Sequence, residues 1–371
     1  MSDSSGGPSA HADDDEEVVL VARGIATAVA PEDGITDAQI GLLGSVTAAL
    51  TGIDVDYAGL EPIGPDDLAR ALAARPDAYR HRIVHHMVLG ELVLRPLPTA
   101  VSFRVAQYAE ALGVRDDFVR VARRFAQGAY GLAWMDLQRN GFADHVRGAV
   151  DPSALDTGRS TPPVAPDPFE AHVDPEVADR WHGFEELDEA TLGRRVWEMY
   201  DARGFEMPGT PGGAPAYLAQ HDFVHVLADY GTNLPGELEV FALIARADPD
   251  PKGFAWLATL FGLFETGFIA DTGFFVRDHD GGRHADAPGM GARIADAIRR
   301  GKSVCESNQR DLFEVDFYRV APLPVSEVRE MLGIPPKGDR ALCAGSPGTF
   351  DLDGMSAHQR EVVAQRRGGH G

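Results

Sequence analysis

The stretch HDFVHVLADYGTNLPGE, residues 221–237, gathers side chain types that bind metal ions. His221 and His225 stand four residues apart, so one helix face offers both imidazoles to one cation. Asp222 lies about 100° round that helix. It serves there either as a further ligand or as the acceptor that orients an imidazole. GTNLP breaks the helix, and Pro235 suits the first turn of the next one. Glu237 falls in that turn, and a helix–turn–helix return carries its carboxylate back toward the histidines. Two imidazoles with one or two carboxylates fit zinc, iron(II) or manganese and leave positions for water or substrate. Calcium and magnesium prefer all-oxygen shells. A rival set sits on the same helix, where His221, His225 and Asp229 follow at i, i+4 and i+8. The adjacent His-Asp pair also fits an HD-type metal hydrolase, which His182 and Asp271 would have to complete. Paired histidines also occur as surface or backbone-bonded core residues, so spacing alone only suggests an ion.

The elements that must position these residues are helices. ITDAQIGLLGSVTAALTGI opens on a cap at Thr36, and Pro65 opens GPDDLARALAA with two acids in its first turn. DAYRHRIVHHMVLGELVL, PTAVSFRVAQYAEALGV and DDFVRVARRFAQGAYGLAWMDL continue the pattern. No run alternates with period two, so the expected class is all-α. Residues 1–17 read as an acidic disordered tail and 18–150 as a helical bundle. A Pro-rich linker is expected over 151–180 and a metal-binding helical domain over 181–336. A flexible tail is expected over 337–371. In the first half, His81, His85, His86 and Glu91 suggest a mixed helix face, because no carboxylate with helix-pair spacing accompanies them. The segment at 253–270 is near spanning length, but Glu265 interrupts it and no Lys/Arg clusters flank it. Its stripe of Leu257, Leu260, Phe261, Phe264 and Phe268 reads as buried core or as the wall of an apolar pocket.

Two resemblances add to this reading. The stretch around His221 resembles the HDxxH(x11)E motif of the coenzyme Q (ubiquinone) biosynthesis protein four family, matching it at His221, Asp222, His225 and Glu237. Upstream, Thr191, Leu192 and Gly193 look like the family's GTLG element. Downstream, APLPVSEVREMLGIPP looks like its closing PLxEVRxxLGI helix. The likeness covers roughly residues 187–336. It implies a divalent metal, zinc first with iron or manganese as alternatives, held by His221, Asp222, His225 and Glu237. It also implies a prenylated aromatic or other isoprenoid lipid as ligand, and other quinone-biosynthesis proteins as partners. The activity it implies is oxidative decarboxylation at ring carbon one of a prenylated hydroxybenzoate. A non-catalytic lipid-binding scaffold with a structural metal is the alternative. The first half has a looser likeness to TerB modules of tellurite-resistance proteins, carried by ITDAQIGLL and RVAQYAEALGV.

Composition narrows the classes further. The chain has 371 residues, and its formal charge of -23 repels phosphate backbones, which speaks against nucleic-acid binding. Its two cysteines make no disulfide framework, and the N-terminus has neither a basic nor an apolar signal region. The expected location is the cytoplasm, with peripheral contact to the inner face of a membrane as the variant a lipid ligand implies.

Overall fold

The computed structural model describes residues 15–128, 173–214, 216, 219–248, 253–265, 284–308 and 312–368. Among these, every regular element is a helix, as expected. The first half contains α1 (Asp15–Val29), α2 (Asp37–Thr51), α3 (Pro65–Ala71), α4 (Asp77–Leu92), α5 (Thr99–Ala111) and α6 (Asp117–Ala126). The second contains α7 (Pro175–Gly183), α8 (Leu192–Arg203), α9 (Gln220–Ala228), α10 (Leu234–Ala247), α11 (Phe254–Phe264) and α12 (Met290–Asn308). Four shorter or terminal helices follow: α13 (Phe317–Val320), α14 (Val325–Leu332), α15 (Asp339–Cys343) and α16 (Ala357–Gly368).

Local signals set several boundaries. Thr36 and Gln39 form a reciprocal capping box at the start of α2, and Gly52 closes that helix in the left-handed region. Pro65 occupies the first turn of α3. Thr191 caps α8 through its hydroxyl, and Gly204 ends it at φ 68. The expected linker is only partly described. Residues 151–172 lie outside the described residues, whereas Pro175–Gly183 is helix, capped by the Asp174 side chain on the amides of Glu176 and Val177. The linker reading therefore fails for its last residues. Pro175 opens a helix there instead of interrupting one.

The two halves, expected as separate domains, share one buried apolar cluster in the described residues. The reason lies in α4, whose Ile83, Val84, Met87, Val88, Leu89 and Leu92 are buried around most of its circumference. A helix that is apolar all round must be covered on several sides. α11 supplies one cover, and its Phe254 ring stacks on His85 at 6.1 Å. The four described members of the α11 stripe, Leu257, Leu260, Phe261 and Phe264, are buried core residues. Phe268 lies outside the described residues. α12 runs against both α2 and α10. A Cβ on Gly301 would fall 2.2 Å from the Leu243 carbonyl oxygen, so only glycine permits this approach of α12 to α10. Between the same two helices Arg293 Nη2 donates to Glu239 Oε2 at 2.5 Å, and Glu239 is fully buried. No described helix is long and apolar enough to cross a membrane.

The loose tail expected after Pro336 is corrected for its described residues. α15, the turn at Leu352–Gly354 and α16 follow, and Ala341, Thr349, Met355 and Gln359 are buried. Polar and glycine-rich composition suggested disorder, but these polar groups are spent on long-range hydrogen bonds to the second half.

Candidate metal centre

α9 carries His221, Asp222 and His225, and it stops where the chain needs it to stop. Ala228 is its last helical residue, and Asp229 takes the left-handed conformation at φ 58. A non-glycine residue there costs free energy and needs compensation. Asp229 Oδ1 accepts the Thr349 amide at 3.0 Å. The rival i, i+4, i+8 set therefore does not form, because Asp229 has left the helix and faces the C-terminal segment. Residues 230–233 turn the chain, and the Asn233 side chain accepts the Gly236 amide at 3.0 Å to cap α10. Pro235 and Glu237 lie in the first turn, as the spacing implied. A Cβ on Gly236 would sit 2.0 Å from the Gly231 carbonyl oxygen, so the turn closes back on α10 more tightly than any side chain allows.

This return brings Glu237 to the histidines. His225 Nε2 lies 3.1 Å from Glu237 Oε1, and His221 Nε2 lies 3.4 Å from Glu237 Oε2. Donor atoms of His221, His225 and Glu237 all fall within 4.8 Å of one another, the one such group of three among the described residues. Ligands at about 2.0–2.2 Å on a tetrahedral zinc stand ~3.4 Å apart, so the spacing fits an ion that size. A second observation supports that fit. His225 is fully buried, yet neither ring nitrogen makes an aligned hydrogen bond, even with the carboxylate 3.1 Å away. Buried polar atoms are nearly always satisfied, and an orphan calls for an explanation such as an ion. Burial pushes the Glu237 carboxyl upward. The attraction of the His225 imidazole, and of the nearby His221, outweighs that and holds it well below the usual carboxylate range.

Asp222 stands beside this group. Its Oδ1 is 3.5 Å from His221 Nε2, and its Oδ2 accepts the Tyr200 hydroxyl at 2.5 Å. Burial, and then the Asp222 charge, push the Tyr200 phenol well above its ordinary value, so it stays a donor. Tyr200 is held in an aromatic block with Trp181 at 4.9 Å, and Trp181 packs on Phe223 of α9 at 5.3 Å. Phe241 flanks His221, ring to ring, at 5.3 Å.

The C-terminal end of α9 shows how far the site reaches through the chain. Arg329 donates to the Leu227 carbonyl at 2.6 Å and to Val226 at 3.1 Å, and Arg300 donates to Ala228 at 2.9 Å. The Thr349 hydroxyl donates to the His225 carbonyl at 2.6 Å. The last four carbonyls of the metal-bearing helix are thus all satisfied by distant residues, and two of those residues are cations placed favourably at a helix C-terminus. Arg329 stands in EVREMLGI, where no local pattern marks this role, and none marks Arg300 or Thr349. The segments around TLG and APLPV also meet. The Leu192 amide donates to Leu323 at 2.9 Å, the Gly193 amide to Ala321 at 2.8 Å, and the Val325 amide to Ala190 at 3.0 Å.

The other sequence candidates fall elsewhere. His182 is exposed and its Nδ1 is bonded to the Ala178 carbonyl at 2.7 Å. Asp271 lies outside the described residues, so the HD-type arrangement finds no support. In the first half, His81 turns back to the Asp77 carbonyl, and His85 Nε2 pairs with Asp116 Oδ2 at 2.5 Å. Glu91 is fully buried at the end of α4, and neither its oxygens nor the Ser102 hydroxyl makes an aligned hydrogen bond. Burial raises its pKa well above the ordinary value, against opposing effects of Arg123 and Ser102. A carboxyl raised in the folded state contributes fully below its unfolded pKa of about 4.3 and loses that contribution as pH rises toward the folded value. Glu91→Gln is therefore expected to be more stable than the parent near neutrality and to lose that advantage as pH falls to about 4. Urea midpoints of both proteins across that range check this.

Compared with known proteins, the chain matches no family model, no curated protein and no solved structure.

Proposed function

We propose that this chain is a metal-dependent protein of quinone or related prenyl-lipid metabolism, with His221, His225 and Glu237 as the ligands of one divalent ion. The observation that carries the reading is the convergence of these three donors within 4.8 Å on two helices joined by a tight turn. Three protein ligands are the complement of a catalytic site, which keeps a position for substrate, whereas a structural zinc site closes with four. Asp222, held by Tyr200, keeps its Oδ1 3.5 Å from His221 Nε2, the nitrogen that also faces Glu237, so it stands either as a fourth ligand or as a carboxylate just outside the shell. Bound there, the ion supplies a Lewis acid for a carboxylate or phenol oxygen of the substrate. The substrate class rests on the likeness of HDFVHVLADYGTNLPGE and EVREMLGI to the ubiquinone-biosynthesis family, which points to a prenylated hydroxybenzoate. Replacing its ring carboxyl by hydroxyl needs an oxidant, and zinc does not activate oxygen. Iron or manganese therefore goes with that reaction, and zinc goes with a lipid-binding scaffold.

Elemental analysis of the purified chain beside its His221→Ala/His225→Ala variant tests the metal. Roughly one equivalent per chain is expected in the parent, and loss of it in the variant. Equal contents in the two proteins would refute the assignment. Mass spectrometry of an organic extract from the same sample tests the lipid, and an extract free of isoprenoids removes the substrate class. The identity of the metal then separates the oxidative reading from the scaffold.

A further inference from the structure

We propose that the C-terminal segment from Ser346 to Gln359 is a strap that sets the geometry of the metal centre, with Thr349 and Gln359 as its positioning residues. The inference rests on the metal reading above and adds residues that lie outside the stretch carrying the family likeness.

The strap grips the turn between the two ligand-bearing helices at both of its ends. On the histidine side, the Thr349 hydroxyl donates to the carbonyl of His225, the residue that also carries the buried ligand ring. The Thr349 amide donates to Asp229, holding the left-handed residue that ends α9. On the glutamate side, the Gly354 carbonyl accepts the amides of Thr232 at 2.7 Å and Asn233 at 2.9 Å. The Asn233 side chain donates to the Asp353 carbonyl at 2.8 Å while its oxygen caps α10. Gln359 closes a two-way contact with Thr232, accepting from its hydroxyl at 2.9 Å and donating to its carbonyl at 3.2 Å.

Arg203 ties strap and turn together from beneath. Its Nε donates to the Thr232 hydroxyl at 2.5 Å, and its Nη2 donates to the Thr349 carbonyl. Arg203, Thr232, Thr349 and Gln359 are each at most 3% exposed, so these bonds form away from water, where a lost partner leaves an unsatisfied group. The grip is polar and directed at the turn. An apolar cover would shield the helices without fixing the turn's backbone. The distance from the His225 ring to the Glu237 carboxylate depends on the path through Asp229–Asn233, and the strap bonds to both ends of that path.

The test uses the full chain loaded with zinc or cobalt(II). Thr349→Val keeps the volume and removes the hydroxyl. It is expected to bind zinc about tenfold more weakly in chelator competition, the low end of what outer partners of metal ligands contribute. Its cobalt visible spectrum should shift, while the metal-free protein keeps its helical circular dichroism. Thr349→Ser, which restores the donor, should return both readouts to the parent values. Gln359→Leu should move both in the same direction as Thr349→Val, and it decides the matter if Thr349→Val does not fold. Parental zinc affinity and an unchanged cobalt spectrum in the folded variant would overturn the strap and leave the metal centre standing. A parent chain that takes up neither metal would overturn the metal reading and the strap with it.

Discussion

Arg293→Ala is expected to lower the stability of the chain by about 3–5 kcal/mol, because it takes from the buried Glu239 its hydrogen-bonded partner. Glu239 is fully buried, and the 2.5 Å contact with Arg293 is the hydrogen bond its Oε2 makes. Its Oε1 already lacks a hydrogen-bond partner, as does Arg293 Nε. The expected partner result is as informative. Replacing both together, as Glu239→Leu with Arg293→Met, removes two desolvated charges at once and fills the same volume. That double variant should fall far less than the sum of the single ones, since buried pairs replaced by apolar residues are often neutral or better. Chemical unfolding of the parent, Glu239→Leu, Arg293→Met and the double variant gives the four midpoints required. Additive losses would show that α10 and α12 are held by something other than this pair.

The all-α class was legible because helix caps and apolar periodicity are local. Thr36, Pro65 and Pro235 each sit where their backbone chemistry puts them, and the structure starts helices there. The HDFVH and GTNLPGE halves of the candidate site were legible for the same reason, since helix, break and first turn are read within 17 residues. What the periodicity could not show is where the other polar groups go. Thr349 meets His225 across 124 residues of sequence, and Arg329 meets Leu227 across 102. Nothing in the composition of KGDRALCAGSPGTFDLDG distinguishes polar residues that solvate a tail from polar residues that satisfy a buried turn. The sharing of one core by both halves was hidden likewise. The apolar residues spread round the second half of α4 announce that it will be covered, but they do not name α11 as the cover. Asp229 illustrates a narrower limit. Helical spacing extends to i+8 only while the helix lasts, and a left-handed residue ended it one position too early for the rival ligand set.

Glu237→Gln is expected to weaken metal binding by at least a hundredfold, the largest single-residue effect on the centre. The substitution keeps shape and volume but removes the charge that both histidines face at 3.1 and 3.4 Å. It also turns an acceptor-only group into one that presents an amide N–H₂ to an imidazole nitrogen. Binding to the folded state stabilises by RT ln(1 + [L]/Kd), so at metal one hundred times the parent Kd the parent gains about 2.7 kcal/mol and a hundredfold weaker variant about 0.4, a loss of about 2.3 kcal/mol. A metal-dependent rise in thermal midpoint should accordingly shrink in the variant, each protein being compared with its own metal-free midpoint. Asp222→Asn supplies the comparison that separates the two roles open to that residue. Its Oδ2 is already occupied by the Tyr200 hydroxyl, and its Oδ1 stands 3.5 Å from His221. If Asp222 orients the imidazole from outside the shell, its loss should cost roughly 10–100-fold, clearly less than Glu237→Gln. If Asp222 is itself a ligand, the two variants should fall together and the centre would close with four protein donors. For zinc that second outcome would also remove the open position on which a catalytic reading depends, because a tetrahedral ion held by two histidines and two carboxylates is closed, whereas six-coordinate iron or manganese would still keep positions for substrate.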